Sequence, residues 1–529
     1  MKLKNFAFAI IAMAMGACSN EDETLTNNGI AEGGDAFISL SIALPDATNT
    51  KAMDPGTEGE EEGTTDENTV KSILVLLYDN SGTLKDSKEF PIAELTYSGD
   101  VYTTKKWQVK TGEYKAVAIV NPLAAYTATG NTITATLTTL NAVRYESASG
   151  LKDNGFIMTN ALTTSSPATP ANNGDFYADG SVYVNVNGTS MNPTELTINV
   201  ERSLAKVMIT TPATDMSVTA DANAAIEFIA FKEVTLNKSY FPIKKLTANG
   251  INTTNDYIVD PNFDNNTPNN AAANFSNLDI RNGYKAFSNG TFYCLENTMT
   301  AAQQQLGNST AIYFKARYYA DKNDKTAKHL YKYLGKVYDS FTALRSAGVN
   351  LTGITEKTYV KGSANSNYSY TEAQTLAEKG VTVYNGGICY YPYKIRHVKS
   401  SANNDIMEFA VVRNNVYKLS INSVAGIGKG TYEDITAPKD QEGTDSSTDP
   451  KDPDKNTTID PDQPIDPADP NFPTDPSDPT TPGYDPANPG KPGVTPSTDA
   501  NTEMDDTDPV LNVSVRILKW TIRKDAIDM

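Results

Sequence analysis

Apolar and polar residues alternate with a period of two along most of the chain, and long stretches of helical period are scarce. In AFISLSIALP, Ile38, Leu40, Ile42 and Leu44 share one face and Ser39, Ser41 and Ala43 the other, which predicts a half-buried strand. SILVLLYDNSG is a continuous apolar run closed by a turn signal, the pattern of a strand covered on both faces. KWQVKTGEYKAVAIVNP reads as two strands around Thr111-Gly112, stopped by Asn121-Pro122. LTINV, SLAKVMIT, AIEFIAFKEVTLN, AIYFKARYYA and EFAVVRNNVYKLSINSVAG add further strands, while TEAQTLAEKG is a helical patch suited to a loop. Many short strands between Gly, Asn and Pro clusters predict a mainly β protein built of β-sandwiches. The β-rich body, residues 36–430, is too long for one sandwich, so two in tandem are expected, with the break near Pro193 to Val200.

Near Pro438 the composition changes. Pro461, Pro464, Pro467, Pro470, Pro473, Pro476, Pro479 and Pro482 recur every third residue, the period of a polyproline II helix, and the interleaved Asp residues repel one another. A semi-rigid, solvated spacer over 438–508 follows. Beyond it PVLNVSVRILKWTIRKDAIDM regains β propensity, with Leu511, Val513, Val515 and Ile517 on one face. The apolar phase then moves to Leu518, Trp520 and Ile522, which predicts a bulge or bend at that point. An apolar strand on so long a tether needs a groove, in its own chain or in another.

Charge and rare residues exclude several functions. The 529 residues carry 45 Lys plus Arg against 64 Asp plus Glu, a net charge of −19, which repels a phosphate backbone, so no nucleic-acid partner is expected. Asp440 to Asp508 holds 18 of the acids and three Lys, so the spacer accounts for most of the imbalance and the body is nearly neutral. Two His and three Cys leave little for imidazole catalysis, a zinc site or a thiolate nucleophile, and neither an enzyme nor a cofactor is expected. His329 and His397 have no partner motif and read as surface or strand histidines. Tyr313, Tyr318, Tyr319, Tyr390, Tyr391 and Tyr393 could stack on carbohydrate, though strand aromatics more often pack in the core.

The N-terminus orders a charged start, Lys2 and Lys4, an apolar core from Phe6 to Met15, and small residues before Cys18, as a secretory signal does. Met15-Gly16-Ala17-Cys18 resembles a bacterial lipobox, in which the Cys18 thiol is acylated, for example by palmitate; the alternative is an ordinary signal with an incidental Cys. Cys294 and Cys389 remain, either as one disulfide or as two buried thiols.

Taken in order, the lipobox, AFISLSIALP, TGEYKAVAIVNP, ERSLAKV, GGICYYPYKIRHV, VVRNNVYKLSINSVAGIG and VLNVSVRILKWTI resemble the FimA/Mfa-type fimbrial subunits of Bacteroidales, the type V pilins. The last three are most similar to the Mfa-type short-fimbria major subunit. The resemblance implies two tandem transthyretin-like β-sandwich domains, at 52–195 and 196–437. Before them come a signal peptide, 1–17, and a lipidated propeptide with the first strand, 18–51; after them come the spacer and a C-terminal donor strand, 509–529. It also implies an outer-membrane lipoprotein precursor, a surface protease that removes the first strand (Ile38, Leu40, Ile42, Leu44), and a groove filled by a neighbour's donor strand (Leu511, Val513, Val515, Ile517, Leu518, Trp520, Ile522). The partners are then further copies head to tail, with anchor and tip subunits, in a cell-surface fimbrium that supports adhesion.

Two features depart from that pattern. The family is cut after Arg, whereas DATNTKAMDPG offers Lys51-Ala52, and the Pro/Asp spacer is unusually long. The rival reading is a monomeric surface lipoprotein that binds glycans or host proteins. The pairing of a cleavable first strand with a tethered last strand favours the polymer.

Overall fold

The computed structural model describes residues 34–44, 60–430 and 511–521, apart from 99–100, 163–169, 247–257, 264–270, 279–282, 301–302, 305–306 and 398–406. Cys18, Lys51, Ala52, Ile522 and the whole of the 438–508 spacer lie outside the described residues.

The chain is mainly β, as the alternation predicts. In chain order the elements that frame the argument are β1 (Asp35–Ala43), β2 (Glu60–Glu62), α1 (Thr65–Asn68), β3 (Ser72–Tyr78), β4 (Leu84–Pro91), β5 (Leu95–Ser98), β6 (Val101–Thr104), β7 (Trp107–Lys110) and β8 (Gly112–Val120). They continue with β9 (Met158–Asn160), β10 (Val182–Val186), β11 (Thr194–Arg202), β12 (Ala205–Ile209), β13 (Met216–Val218) and β14 (Asp221–Val234). The last are β15 (Thr291–Cys294), β16 (Ala311–Tyr319), β17 (Ile388–Lys394), β18 (Asn415–Val424) and β19 (Leu511–Thr521).

A 10-stranded sheet runs β4-β3-β8-β9-β11-β1-β6-β5, with β10 on β8 and β7 on β1. Its inward positions, among them Ile38, Leu40, Val75, Leu77, Val117, Ile119, Val184 and Ile198, form one core. β3 is buried from Ile73 to Tyr78, as its unbroken apolar run requires. Gly112, at φ 151, begins β8 directly after β7, and Asn121, at φ 51, ends β8 in a left-handed conformation that its short amide side chain tolerates.

A 9-stranded sheet runs β2-β19-β18-β13-β14-β16-β17, with β12 pairing both β18 and β15. A second core, including Val207, Ile226, Phe231, Phe314, Tyr391 and Leu419, lies against it. The chain passes between the sheets at Ser203-Leu204: β11 belongs to the first sheet through its whole length, and β12 to the second. The expected boundary at 195/196 therefore cuts through β11. A chain can change sheets without a loop, so Gly and Pro punctuation upstream misplaces the break.

Residues 330–384 add a small unit with its own core. Strands Leu330–Tyr333, Lys336–Tyr338 and Val381–Tyr384 pair, and two helices, Phe341–Ser346 and Tyr370–Ala377, supply Phe341, Leu344, Ala373 and Leu376 to it. The second helix is the TEAQTLAEKG patch, capped where Ser369 and Glu372 bond each other's backbone amides, and it packs rather than merely decorating a loop.

Candidate functional site

β1 is an interior strand, although it is the first element among the described residues. On one side it pairs in parallel with β11, Ile38↔Thr194 through Ala43↔Asn199. On the other it pairs antiparallel with β7 (Asp35↔Lys110 to Ile38↔Trp107) and then β6 (Ser41↔Thr103 to Ala43↔Val101). Ala36, Ile38, Leu40 and Ile42 are 0% exposed and Leu44 is 2% exposed, so the alternation read from sequence is the buried face. Between β6 and β7 the ladder is broken opposite Leu40. The Thr104 hydroxyl fills the gap by accepting from the Leu40 amide at 3.1 Å, and the Ser39 hydroxyl donates to the Thr104 carbonyl at 3.3 Å. On this side, too, the inward residues Tyr102, Trp107 and Val109 are buried in the core shared with β1, so backbone pairing and apolar packing hold the strand together.

The chain resumes at β2, which belongs to the other sheet. It leads through Gly63 into α1, whose N-cap Thr64 and Glu67 form a capping box. Gly63 is required by proximity: a Cβ there would lie 2.3 Å from the Asn68 side-chain oxygen. Arg202, at the end of β11, is fully buried and donates to Asn68 Oδ1 at 2.6 Å. Glu67 is 1% exposed and meets Lys206 Nζ at 2.8 Å, with the Tyr293 hydroxyl also donating to it. Burial alone would raise its pKa, but hydrogen bonds from Lys206, Tyr293 and Thr64 outweigh this and hold the carboxyl below its ordinary range. A second buried group lies nearby: Arg413 donates to both oxygens of Glu296, and Lys244 meets Glu201 at 2.9 Å. Burial pushes the Glu201 carboxyl up. Glu67–Lys206 ties α1 to β12 of the second sheet, Glu201–Lys244 ties the end of β11 to the segment that follows β14, and Glu296–Arg413 joins the residues after β15 to those before β18. Sequence reasoning missed them; the only signal was charge, in ERSLAKV and VVRNN, inside otherwise apolar strands.

β19 lies in its own chain's second sheet. It pairs antiparallel with β18 from Asn415↔Lys519 to Val424↔Leu511, and its other edge pairs in parallel with β2, Glu60↔Lys519 to Glu62↔Thr521. The expected bulge at Ile517-Leu518 is absent from this ladder, which runs unbroken there; the register shift lies instead between Ile421 and Ser423, on the partner strand. Strand propensity outweighs the change of apolar phase. Of the expected donor residues, Leu511, Val513, Val515, Ile517, Leu518 and Trp520 fall on β19.

The remaining candidates are structural. Tyr313, Tyr318, Tyr319, Tyr390 and Tyr391 are buried and Tyr393 is partly buried, so they offer no open stacking platform. Cys294 and Cys389 are free and buried, and burial pushes each thiol up to about 12. His329 and His397 were expected as surface or strand histidines; both are buried, at 3% and 4% exposure, and both lie outside the strands, His329 immediately before Leu330–Tyr333. Among the described residues no group of three or more His, Cys, Asp or Glu could hold a metal ion.

Comparison with known proteins gives two family matches. Residues 38–202 match the model of the major fimbrial subunit protein (FimA), and residues 382–469 match that of the major fimbrial subunit protein type IV, Fimbrillin, C-terminal. No curated protein matches the chain. Similar solved structures include a fimbrilin from Porphyromonas gingivalis W83, 16% identical over 75% of this chain and 92% of that one, TM-score 0.34. The tip fimbrial protein Mfa3 from Porphyromonas gingivalis is 12% identical over 74% of this chain and 96% of that one, TM-score 0.32. A fimbrial assembly protein from Parabacteroides distasonis is 11% identical over 73% and 91%, TM-score 0.29. The first sheet, from Ile38 of β1 to the end of β11, lies inside one match to a major fimbrial subunit model, and β17 and β18 lie inside the other, so the chain is similar to the FimA-type fimbrial subunits in both of its sheets.

Proposed function

We propose that this protein is a non-enzymatic structural subunit of a cell-surface fimbria, and that it polymerises head to tail by exchanging strands. The precursor is exported and acylated on Cys18, then cut at Lys51-Ala52. The first strand leaves, and residues 509–529 of a neighbouring copy take its place. Repetition builds a shaft that anchor and tip subunits complete, with the two sheets as tandem sandwich domains.

One observation carries this reading: β1 is interior to its sheet, yet nothing in the sheet depends on it for chain continuity. Strands on both flanks stay connected to the body through their own loops. Removing β1 leaves β11 and β6/β7 facing each other across a slot of about 10 Å, twice the ordinary strand spacing. The slot has unpaired backbone groups on both walls and an apolar floor. A second β-strand fits it by the physics that held the first: main-chain hydrogen bonds give affinity and alternating side chains give register. Because groove and donor are different surfaces, the contact does not close on itself and propagates as a filament.

The test is Lys51→Ala in the full chain, followed by mass spectrometry of the mature N-terminus and by electron microscopy of surface material. The variant should fold, retain the first strand and form no fibres. Normal fibres with an unchanged mature N-terminus would refute cleavage at Lys51, and fibres that retain residues 35–43 would refute strand exchange.

A further inference from the structure

β19 is flanked on both sides, and the flanks are joined to each other. Its inner edge is laddered to β18 and its outer edge, over the last three residues, to β2. The Lys418 ammonium on β18 and the Glu61 carboxylate on β2 meet at 2.6 Å, and the strand between their two backbones is β19. The ion pair therefore straddles the C-terminal strand. Both side chains are partly shielded, Lys418 at 32% and Glu61 at 22% exposure.

We propose that β2 and the Glu61–Lys418 pair form a latch that retains the C-terminal strand in its own sheet until the first strand has been cut away. β2 has three residues, too few to hold by pairing alone, so it persists because its ends are fixed. Its C-terminal end runs through Gly63 into α1, where Asn68 is bound by Arg202 and Glu67 by Lys206. Its N-terminal end is tied covalently to β1, which is locked in the first sheet. Sixteen intervening residues, 44–59, make that tie and contain Lys51.

A cut in this tie makes β2 the first strand behind a new N-terminus. Asp54, Glu58, Glu60, Glu61 and Glu62 give the new terminal segment five acids and no base from Ala52 to Glu62. Mutual repulsion and the added freedom of a chain end both favour fraying of β2. The outer edge of β19 then loses its pairing and the straddling pair opens. Processing at one end of the chain thereby loosens the other, so a subunit is armed to donate only once it can also accept. The consequence for assembly rests on the strand-exchange reading above; the latch itself does not.

Hydrogen exchange of the uncut full chain separates the two. In Glu61→Lys, and in a variant with Glu60–Glu62 replaced by Gly-Pro-Gly, amides of 511–521 should exchange faster by about threefold and about tenfold respectively. Amides of 35–43 and 311–319 should keep their wild-type rates. Adding Lys418→Glu to Glu61→Lys should restore protection of 511–521. Cutting the wild-type chain at a protease site inserted within 45–59 should reproduce the effect of the Gly-Pro-Gly variant. Unchanged exchange at 511–521 in both variants, or an equal rise in all three segments, would overturn the latch. If the latch variants loosen 511–521 but their matured forms never make fibres, strand exchange fails while the latch stands. If 511–521 is unaffected and fibres form normally, the reverse holds.

Discussion

His329 uses both ring nitrogens in bonds that only one neutral tautomer satisfies. Nε2 donates to the Ser366 carbonyl at 2.8 Å, and Nδ1 accepts from the Gly386 amide at 3.3 Å. Protonation would set two donors against each other at Nδ1, inside a box that includes the Tyr359 and Tyr368 rings. Burial, opposed by the Ser366 bond, pushes the pKa from 6.5 down to about 4. The unfolded chain therefore binds more protons than the folded one between those values, so this group's contribution is complete above about pH 6.5 and is lost as pH falls toward 4. Urea denaturation of wild type and His329→Gln across pH 4–8 should show the wild type losing up to about 3 kcal/mol relative to the variant over that window. Parallel curves would contradict it. Nothing local in KTAKHLYKY foretells this burial, because Tyr359, Tyr368 and Gly386 arrive from distant sequence. The same holds for Arg202 and Arg413, whose partners Asn68 and Glu296 lie more than a hundred residues away and leave no periodic trace.

At the scale of elements, period-two alternation located the strands well, because each inward side chain here enters a core. β1 is the clearest instance: Ile38, Leu40, Ile42 and Leu44 were legible as one face, and that face is buried. Its position in the middle of a sheet was not legible, since pairing partners depend on topology rather than on local pattern. β2 was less legible still, because three consecutive glutamates look like solvated chain and only their pairing with β19 makes them a strand. The interior position of β1 gives an asymmetric prediction. Leu40→Ala removes a fully buried side chain and should destabilise the precursor by about 2–5 kcal/mol in urea denaturation. If β1 is discarded on maturation, the thermal stability of fibres assembled from that variant should equal that of wild-type fibres. Fibres weakened by Leu40→Ala would mean that the first strand stays in the mature subunit.

For the whole molecule the central fact is that the C-terminal strand already has a home. β19 completes the second sheet of its own chain, so donation to a neighbour requires it to leave β18, and the two sites compete for one segment. On the strand-exchange reading, a neighbour's slot would offer burial on the scale of four β1 side chains, each contributing ~1.5–3 kcal/mol before the entropy of association. Once β2 has frayed, the only strand left paired with β19 in the home site, among the described residues, is β18. That balance predicts transfer after maturation and retention before it. Val515→Asp places a charge in the apolar row read from the sequence, and should yield a folded, processed monomer that cannot extend a fibre, while Asn512→Asp on the opposite row should be milder. Because Val515→Asp could also disturb the home site, a peptide of residues 510–529 added in trans separates the two positions. Matured full-length subunit has an open slot and a filled home site, whereas a precursor lacking 510–529 has a filled slot and an open home site. Binding of the peptide to the matured subunit, competed away by released first strand, is the outcome expected of an intermolecular donor. Binding only to the truncated precursor, together with normal fibres from the deletion variant, would make 510–529 a strand of its own sheet and nothing more.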